Sequence, residues 1–423
     1  MPPLPSSPPN APVAITGAGV VSPIGNTLAA FDAPLFAGRS AVRAQSLDLP
    51  GIELPPVPVA SAEFDATAQV APSRVPLDRA TAMALAAARD AARAARLEPG
   101  SFDAERLGIF WGSGMAGAAT FEATCRTVYA DRRRMRPTSV VTTMPNAPVA
   151  EIALLFGARG AALAYACACA SSAVAIGEAM RAIRAGWIDV AICGGSEAML
   201  TPGVLASWQA MRVLAPIGAS LSASDAAHVA AACRPFAADR AGFALGEAAA
   251  AFVLESTAHS AARGARPEAM LAGYATNCDG VHITNPDAAG QARAMTAALV
   301  DAGLAPGDIG YINAHGTATT AGDAAEAESV ARVFGAGRVP VSSTKAIHGH
   351  LLGAGGAVEL LAALRALQAG RLPPTANTEF ADPSFAIDLV LRAARESDGI
   401  RAVMSNSFAF GGTNAVLVAT RAG

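Results

Sequence analysis

Short β-rich runs alternate with longer, Ala-rich helical segments along almost the whole chain, and this alternation constrains the fold more than any other feature. The clearest predicted strands are 107–111, 188–193, 309–314, 339–342 and 415–420, and the clearest predicted helices are 78–95, 289–302 and one from Ala357. Such alternation is typical of α/β folds whose sheets are buried between helices. Because the rhythm returns after about residue 265, the sequence predicts two comparable α/β halves, over residues 12–264 and 265–423.

Composition excludes several classes of protein. The 423 residues are 52% hydrophobic and 15% charged, which is enough apolar material for a large core. The net charge of −3 provides no global basic field for nucleic acid. The uncharged runs at residues 1–31 and 160–177 are interrupted by Pro and Gly or built from small residues, so we expect neither a membrane span nor a signal peptide. The six scattered cysteines are then expected to be reduced thiols in the cytoplasm.

The N-terminal region offers no strong functional motif. Residues 1–11 are rich in Pro and Ser and are predicted to form a flexible tail. Gly17-Ala-Gly19 follows a predicted strand and half matches a dinucleotide-binding fingerprint. Its third glycine is missing and Pro23 follows, so a tight structural turn is the favoured interpretation.

Two cysteines precede a helical segment that ends at Gly186. Cys167 and Cys169 lie in the sequence Tyr-Ala-Cys-Ala-Cys-Ala-Ser-Ser. At a helix start, free backbone N–H groups and the helix dipole stabilise a thiolate, which predicts a lowered thiol pKa and a nucleophile. The alternative is that both cysteines are small, buried core residues.

Two histidine-bearing, glycine-rich turns follow in the second half. His315 comes directly after a predicted strand in Asn-Ala-His-Gly-Thr, while His348 and His350 share the stretch that holds Lys345, the one Lys among 31 basic residues. A thiolate with imidazoles serves covalent acyl chemistry. A zinc site formed by Cys169, His315 and His350 is the alternative, although local ligand pairs such as CxxC or HExxH are absent.

A third glycine-rich turn lies near the C-terminus, in Asn-Ser-Phe-Ala-Phe-Gly-Gly-Thr-Asn at 406–414. Its glycines permit backbone angles that would direct N–H groups at an oxyanion, with Phe410 as a movable gate. An ordinary turn with buried Phe is the alternative.

Together these segments resemble the condensing enzymes, specifically the elongating β-ketoacyl-[acyl carrier protein] synthases of type II systems. The resemblance spans Val13 to Val418 and rests on Ala-Cys-Ala-Ser, Asn-Ala-His-Gly-Thr, Ser-Ser-Thr-Lys with Gly-His-Leu-Leu-Gly-Ala, and the closing Phe-Gly-Gly motif. It implies the thiolase fold, in which two pseudo-duplicated halves form a five-layer αβαβα body.

The resemblance also implies a Cys-His-His mechanism. Cys169 would take an acyl group from a carrier-protein thioester, and the acyl-enzyme would condense with malonyl carrier protein as carbon dioxide leaves. Neutral His315 and His350 would stabilise the enolate, and the backbone N–H groups of Cys169 and Phe410 would form an oxyanion hole. Lys345 is expected to pair with Glu326 and to orient the histidines.

Further roles follow from the same resemblance. The residues implied to contact substrate are Thr317, Thr319, Phe408, Trp208 and Met115. The arginines implied to dock the acidic carrier protein are Arg79, Arg133, Arg134 and Arg212. No bound cofactor is expected, because the carrier protein supplies the phosphopantetheine arm, and no metal is expected.

The expected assembly is a homodimer, or a heterodimer with a chain-length partner, working in fatty acid or related polyketide or polyene synthesis. The alternative function is that of the non-catalytic chain-length partner itself, but such subunits typically lack the nucleophile. A cysteine hydrolase would leave Lys345, Glu326 and the Phe-Gly-Gly turn unexplained.

Overall fold

The strand order of the first half is repeated in the second half. The computed structural model describes residues 10–70, 75–98, 100–218 and 225–423. Its strands are β1 Val13–Val21, β2 Arg43–Gln45, β3 Val57–Ala60, β4 Leu107–Gly112, β5 Ala162–Tyr165, β6 Val190–Glu197, β7 Leu245–Gly246, β8 Ala248–Glu255, β9 Ala269–Cys278, β10 Ile309–Asn313, β11 Pro340–Ser342, β12 Arg371–Leu372, β13 Asp388–Leu389, β14 Arg395–Glu396, β15 Ala402–Phe408 and β16 Thr413–Thr420.

The α-helices are α1 Leu28–Ala37, α2 Ala66–Gln69, α3 Arg79–Ala94, α4 Ala118–Tyr129, α5 Ser139–Thr143, α6 Ala147–Phe156, α7 Ser171–Arg184, α8 Pro202–Ala210, α9 Ala226–Ala230, α10 Thr257–Ala262, α11 Ala288–Ala302, α12 Thr320–Phe334, α13 Lys345–His348 and α14 Gly355–Ala369. The predicted helix at 78–95 is confirmed as α3, which Asp78 caps by accepting the N–H of Ala80. The other strands and helices predicted above are also present, with ends that differ by a few residues.

The sheet shows the duplication directly. Strands β1-β8-β6-β4-β5 form the first half, and β9-β16-β15-β10-β11 form the second in the same order, with β13 added at its edge. Corresponding pairs also have the same direction: β1–β8 and β9–β16 are antiparallel, while β4–β5 and β10–β11 are parallel. The halves join where Val13–Ile15 pairs with Ala269–Leu271.

The helices form three layers around these strands. Helices α7 and α14 pack on each other, and each contacts strands of both halves, so they form the central layer. Helices α3 and α6 cover the first half on its outer face, and α11 and α12 cover the second. The five-layer αβαβα arrangement of the thiolase fold is therefore confirmed. Most residues of the central layer are apolar and buried, and their burial contributes to the driving force for folding.

The Gly17–Gly19 motif is not a turn, and that prediction was wrong. Both glycines lie inside β1, where α3 approaches the strand. A Cβ added at Gly17 would lie 2.4 Å from the carbonyl oxygen of Ala91, and one at Gly19 would lie 2.2 Å from that of Ala87. The glycines therefore permit close helix–strand packing.

Residues 1–9 of the predicted tail lie outside the described residues, whereas Ala11 is already fixed, because its carbonyl accepts a hydrogen bond from Arg184.

All six cysteines are free thiols. Within the described ranges, no helix combines the length and the apolarity that a membrane crossing requires.

The two central helices begin at matching turns. A 3₁₀ turn at Ala168–Ala170 leads into α7, and another at Leu352–Ala354 leads into α14. Ala168 and Leu352 both have a φ of 47°, a left-handed conformation that is strained for residues other than glycine. The turns contact each other, so the duplication brings Cys169 of one half beside His350 of the other.

Candidate active site

Cys169 lies in the first of these turns, at a cavity of about 290 Å³. Ser171 holds the turn: its hydroxyl accepts the N–H of Cys167 at 2.9 Å and donates to the carbonyl of Ala168 at 2.6 Å. Only 6% of Cys169 is exposed. The sulfur is therefore fixed in position and reached through the cavity.

His350 lies against the sulfur. Its Nε2 is 3.1 Å from the Sγ of Cys169, and its Nδ1 accepts the backbone N–H of Leu352 at 3.3 Å. Because Nδ1 is an acceptor, the ring proton of the neutral imidazole is on Nε2, facing the sulfur. Phe243 packs edge-on against the ring, with centroids 5.1 Å apart, and fixes its plane.

His315 follows β10 and lies beside His350, with ring centroids 5.4 Å apart. Its backbone N–H and that of Gly316 donate to the carboxylate of Glu326. The ammonium of Lys345 is 3.4 Å from Nδ1 of His315 and donates to it, which leaves the ring proton on Nε2.

The predicted pairing of Lys345 with Glu326 is wrong. Lys345 forms a fully buried ion pair with Glu359 of α14. Glu326 instead accepts the two N–H groups of the His315 turn and the amide of Asn406. Glu326 therefore positions His315 by accepting N–H groups from the backbone of its turn. Lys345 positions the same residue by donating to its imidazole ring. Burial raises the pKa of Glu359 to about 7, while the adjacent Lys345 opposes that rise.

Both histidines are neutral. Burial, and then the Lys345 ammonium, hold the pKa of His315 and of His350 well below the ordinary value. A neutral imidazole with its proton on Nε2 can donate a hydrogen bond into the cavity but carries no charge. The pair is thus suited to stabilise negative charge as it develops on a substrate oxygen.

The prediction of a lowered thiol pKa at the helix start was also wrong. Burial raises the pKa of Cys169 to about 12, although Lys345 and the backbone N–H groups of Phe410 and Cys169 act in the opposite direction. The desolvation of a fully buried thiolate outweighs these favourable dipoles and charges. The same two N–H groups lie beside the sulfur, and their use as an oxyanion hole stays a prediction.

Most of the residues that the resemblance implied to contact substrate surround this cavity. Thr317, Thr319, Phe408 and Trp208 all line it, together with Phe410, which was predicted as a gate and an oxyanion-hole residue. The two threonine hydroxyls are 2.9 Å apart, and Trp208 stacks on Phe410 with ring centroids 6.3 Å apart.

Met115 lies elsewhere. It is 49% exposed and lines a separate cavity with residues of α4 and α8. Helix α8 divides the two cavities, because Trp208 faces the first while Val204 and Ser207 face the second. The structure therefore does not bring Met115 to Cys169.

The four predicted docking arginines divide into two groups. Arg133, Arg134 and Arg212 are exposed, as docking requires. Arg79 forms its contacts within the chain: it makes an ion pair with Glu247 and donates hydrogen bonds to the carbonyls of Phe64 and Ala62. The guanidinium of Arg79 has its hydrogen bonds within the fold and its side chain is 36% exposed, so its docking role stays a prediction.

The alternative of a zinc site can be tested by asking whether the three residues offer free ligand atoms. Among the described residues, Cys169, His315 and His350 bring possible ligand atoms within 4.8 Å of one another. Metal-binding histidines usually donate their second ring N–H to an acceptor. Here both Nδ1 atoms receive hydrogen bonds, so the inward Nε2 atoms carry protons and offer no lone pair. The donor set does not fit zinc.

His348 and Cys167 stay outside the cavity lining. The ring of His348 is fully buried between the hydroxyl of Thr344 and the carbonyl of Gly349, and burial lowers its pKa to about 3. Cys167 packs partly buried against the central core.

Glu359 and Gln291 are among the site residues that escaped the sequence reasoning. Glu359 is the one acidic residue in the apolar helix α14, which was a usable signal for a buried ion pair. Gln291 is buried on α11 and lines the cavity, but nothing in its local sequence distinguishes it.

Comparisons with known proteins agree with this geometry. Residues 10–260 match the family model described as the beta-ketoacyl synthase N-terminal domain, and residues 268–379 match the C-terminal domain. The chain is 39% identical to nodulation protein E of Rhizobium leguminosarum bv. trifolii, over 96% of this chain and 98% of that protein. It is 38% identical to 3-oxoacyl-[acyl-carrier-protein] synthase 2 of Staphylococcus aureus, over 81% of this chain and 84% of that protein.

Solved structures agree as well. The ishigamide ketosynthase/chain length factor superposes with a TM-score of 0.88 at 31% identity, covering 98% of this chain and 100% of that one. A beta-ketoacyl synthase from Burkholderia phymatum STM815 superposes with a TM-score of 0.86 at 32% identity, covering 97% and 100%.

Proposed function

Because the chain belongs to the β-ketoacyl synthase family, we propose that it condenses an acyl group carried on Cys169 with malonyl-[acyl carrier protein], releasing carbon dioxide and 3-oxoacyl-[acyl carrier protein]. Family membership makes the chain a condensing enzyme of the acyltransferase class. One observation carries the specific proposal: two neutral imidazoles from the second half face the sulfur of Cys169 across one cavity.

The first half-reaction is acyl transfer. The sulfur of Cys169 attacks the thioester carbonyl of the acyl carrier protein, the carbon–sulfur bond to the carrier breaks, and the thiol proton ends on the carrier thiol. The carbonyl oxygen becomes negative in the transition state, and the N–H groups of Cys169 and Phe410, which lie beside the sulfur, would stabilise it. The proton of the buried thiol passes to the sulfur of the departing carrier arm as that arm leaves, because the Nε2 atoms facing Cys169 already carry protons.

The second half-reaction makes the new carbon–carbon bond. The bond between the carboxylate and the α-carbon of the malonyl unit breaks, and its electron pair forms an enolate whose oxygen accepts the Nε2 protons of His315 and His350. The enolate carbon then attacks the acyl carbon on Cys169, and the sulfur leaves. Neutral donors suit this step because the negative charge on the enolate is transient.

We further propose that the substrates arrive on carrier protein and that the chain itself binds no cofactor. Thr317 and Thr319 line the cavity where a phosphopantetheine arm would pass. Arg133 and Arg134 belong to an exposed basic cluster that also contains Arg132 and Arg136, which suits an acidic carrier protein. A related ketosynthase structure is described as a complex with its acyl-carrier protein.

The proposed assembly uses strand β5. This strand forms the end of the sheet and pairs only with β4, and its residues are largely exposed. Leu163 on β5 and Leu154 and Leu155 on the neighbouring helix are 47%, 77% and 49% exposed. An apolar edge strand is a template for pairing with another chain. A second copy of this chain, or a ketosynthase-like partner, would cover it.

The alternative, a non-catalytic chain-length subunit, has support from relatives whose descriptions name chain length factors. Against it stands the proximity of Cys169, His315 and His350, with Nε2 of His350 3.1 Å from the sulfur. The chain is therefore proposed as the catalytic subunit, with fatty acid, polyketide or polyene synthesis as the setting.

The test is mass spectrometry of the protein after incubation with an acyl carrier protein. The wild type and Cys167→Ala are expected to gain one acyl group, and Cys169→Ala none. Addition of malonyl carrier protein should then release carbon dioxide and 3-oxoacyl carrier protein. An acyl group found on Cys167, or no loading of the wild type, would reject the proposal.

A further inference from the structure

Gln291 has an amide group that the fold orients toward the cavity. It lies in the first turn of α11 and is 1% exposed, yet it lines the cavity that holds Cys169 and His315. Its Oε1 accepts the hydroxyl of Ser329 at 3.1 Å. The other amide atom, Nε2, forms no hydrogen bond with the described residues.

The backbone around Gln291 is fixed on both sides. Asp287 caps α11 by accepting the N–H groups of Ala289 and Gly290. The carbonyl of Gly290 accepts the side-chain amide of Asn277, and a Cβ at Gly290 would lie 1.9 Å from Oδ1 of Asp279. A buried polar side chain on such a rigid turn, with one satisfied atom and one open donor, indicates a substrate contact.

The carboxylate of a substrate in this cavity would have to be bound by an uncharged hydrogen-bond donor. A malonyl unit carries a carboxylate, but no Lys or Arg is found among the described residues that line the cavity. The ammonium of Lys345 is directed at Glu359 and His315 instead. The acidic lining residues Asp279 and Glu326 would repel the carboxylate further.

Most other polar side chains of the cavity have a hydrogen-bond partner or a role in the proposed mechanism, and Thr284 and Asn285 are exposed where Gln291 is buried. The Nε2 atoms of His315 and His350 lie at the thioester end, near the sulfur. The hydroxyls of Thr317 and Thr319 bond to each other, and that of Thr319 also caps α12. Among the described residues, none accepts a hydrogen bond from the two N–H groups on Nε2 of Gln291.

We propose that Gln291 binds the carboxylate of the extender unit through its Nε2 amide and so selects malonyl-loaded over acyl-loaded carrier protein in the condensation step. This inference rests on the proposed function. A neutral amide suits the task because a charged partner would stabilise the carboxylate in the ground state and so slow its loss as carbon dioxide.

The experiment measures the two half-reactions separately in Gln291→Leu, which keeps an uncharged side chain and removes the donors, and in Gln291→Glu, which replaces them with acceptors. Loading of Cys169 from acyl carrier protein is expected to stay within twofold of wild type. The apparent KM for malonyl carrier protein in condensation should rise about tenfold in the Leu variant and further in the Glu variant.

Ser329→Ala provides a second, milder variant, because it frees the amide without removing it, and should give a smaller rise in the same KM. Equal losses in loading and condensation would overturn the inference in favour of a contact with the shared arm or with the fold. An unchanged KM in all three variants would overturn it as well. Wild-type protein that fails to load would instead reject the proposed function, so the two failures can be told apart.

Discussion

The protonation state of Cys169 can be measured directly through its reaction with a small alkylating agent. Only the thiolate reacts, so the rate follows the fraction of the sulfur that is ionised. Burial raises the pKa of this thiol to about 12, whereas a helix-start thiolate would have a pKa below the ordinary value of about 8.5. The two cases predict different dependences on pH.

The magnitude follows from that pKa. At pH 7 a thiol with a pKa of about 12 is ionised in about one molecule in 10⁵, while an ordinary thiol is ionised in a few per cent. The rate of alkylation of Cys169 should therefore rise about tenfold for each pH unit from 7 to 10 with no plateau.

Iodoacetamide labelling followed by peptide mass spectrometry provides the assay, since it reports each cysteine separately. The exposed Cys278 in the same samples is the internal control, and Cys169→Ala gives the background. A rate for Cys169 that levels off below pH 8 would show that the thiolate is already formed at neutral pH. The argument that desolvation dominates this site would then be refuted.

Three further outcomes are expected. Lys345→Met should slow alkylation of Cys169 at pH 9 about tenfold or more, because the ammonium is the strongest influence lowering that pKa, and an unchanged rate would contradict its electrostatic role. Arg79→Gln should lower the free energy of unfolding by about 1–2 kcal/mol in urea titrations and leave the KM for carrier protein unchanged, whereas a raised KM would support its docking role. Arg133→Glu with Arg134→Glu should raise that KM but spare small thioester substrates, and equal loss with both substrates would argue against docking.

Much of the fold could be read from the sequence. Period-2 and period-3.6 patterns are local, so strands such as β4 and helices such as α3 were predicted nearly to the residue. The motifs around Cys169, His315 and His350 were equally local, since each is a short turn with its own residue types. The Gly17–Gly19 motif was wrongly predicted to be a turn. Its glycines are needed because the backbone of helix α3 packs directly against the strand, and that contact is not visible in the local sequence.

The sequence by itself predicted the α/β class, the duplicated halves and the three residues Cys169, His315 and His350 that the structure brings together. Only the tertiary structure decided that Lys345 pairs with Glu359 and not Glu326, that Arg79 is tied into the fold, and that Gln291 reaches the cavity. It also made Cys169 a thiol and the histidines neutral. The physical reason is that desolvation and long-range ion pairs depend on which helix packs on which strand, and spacing along the chain does not encode that.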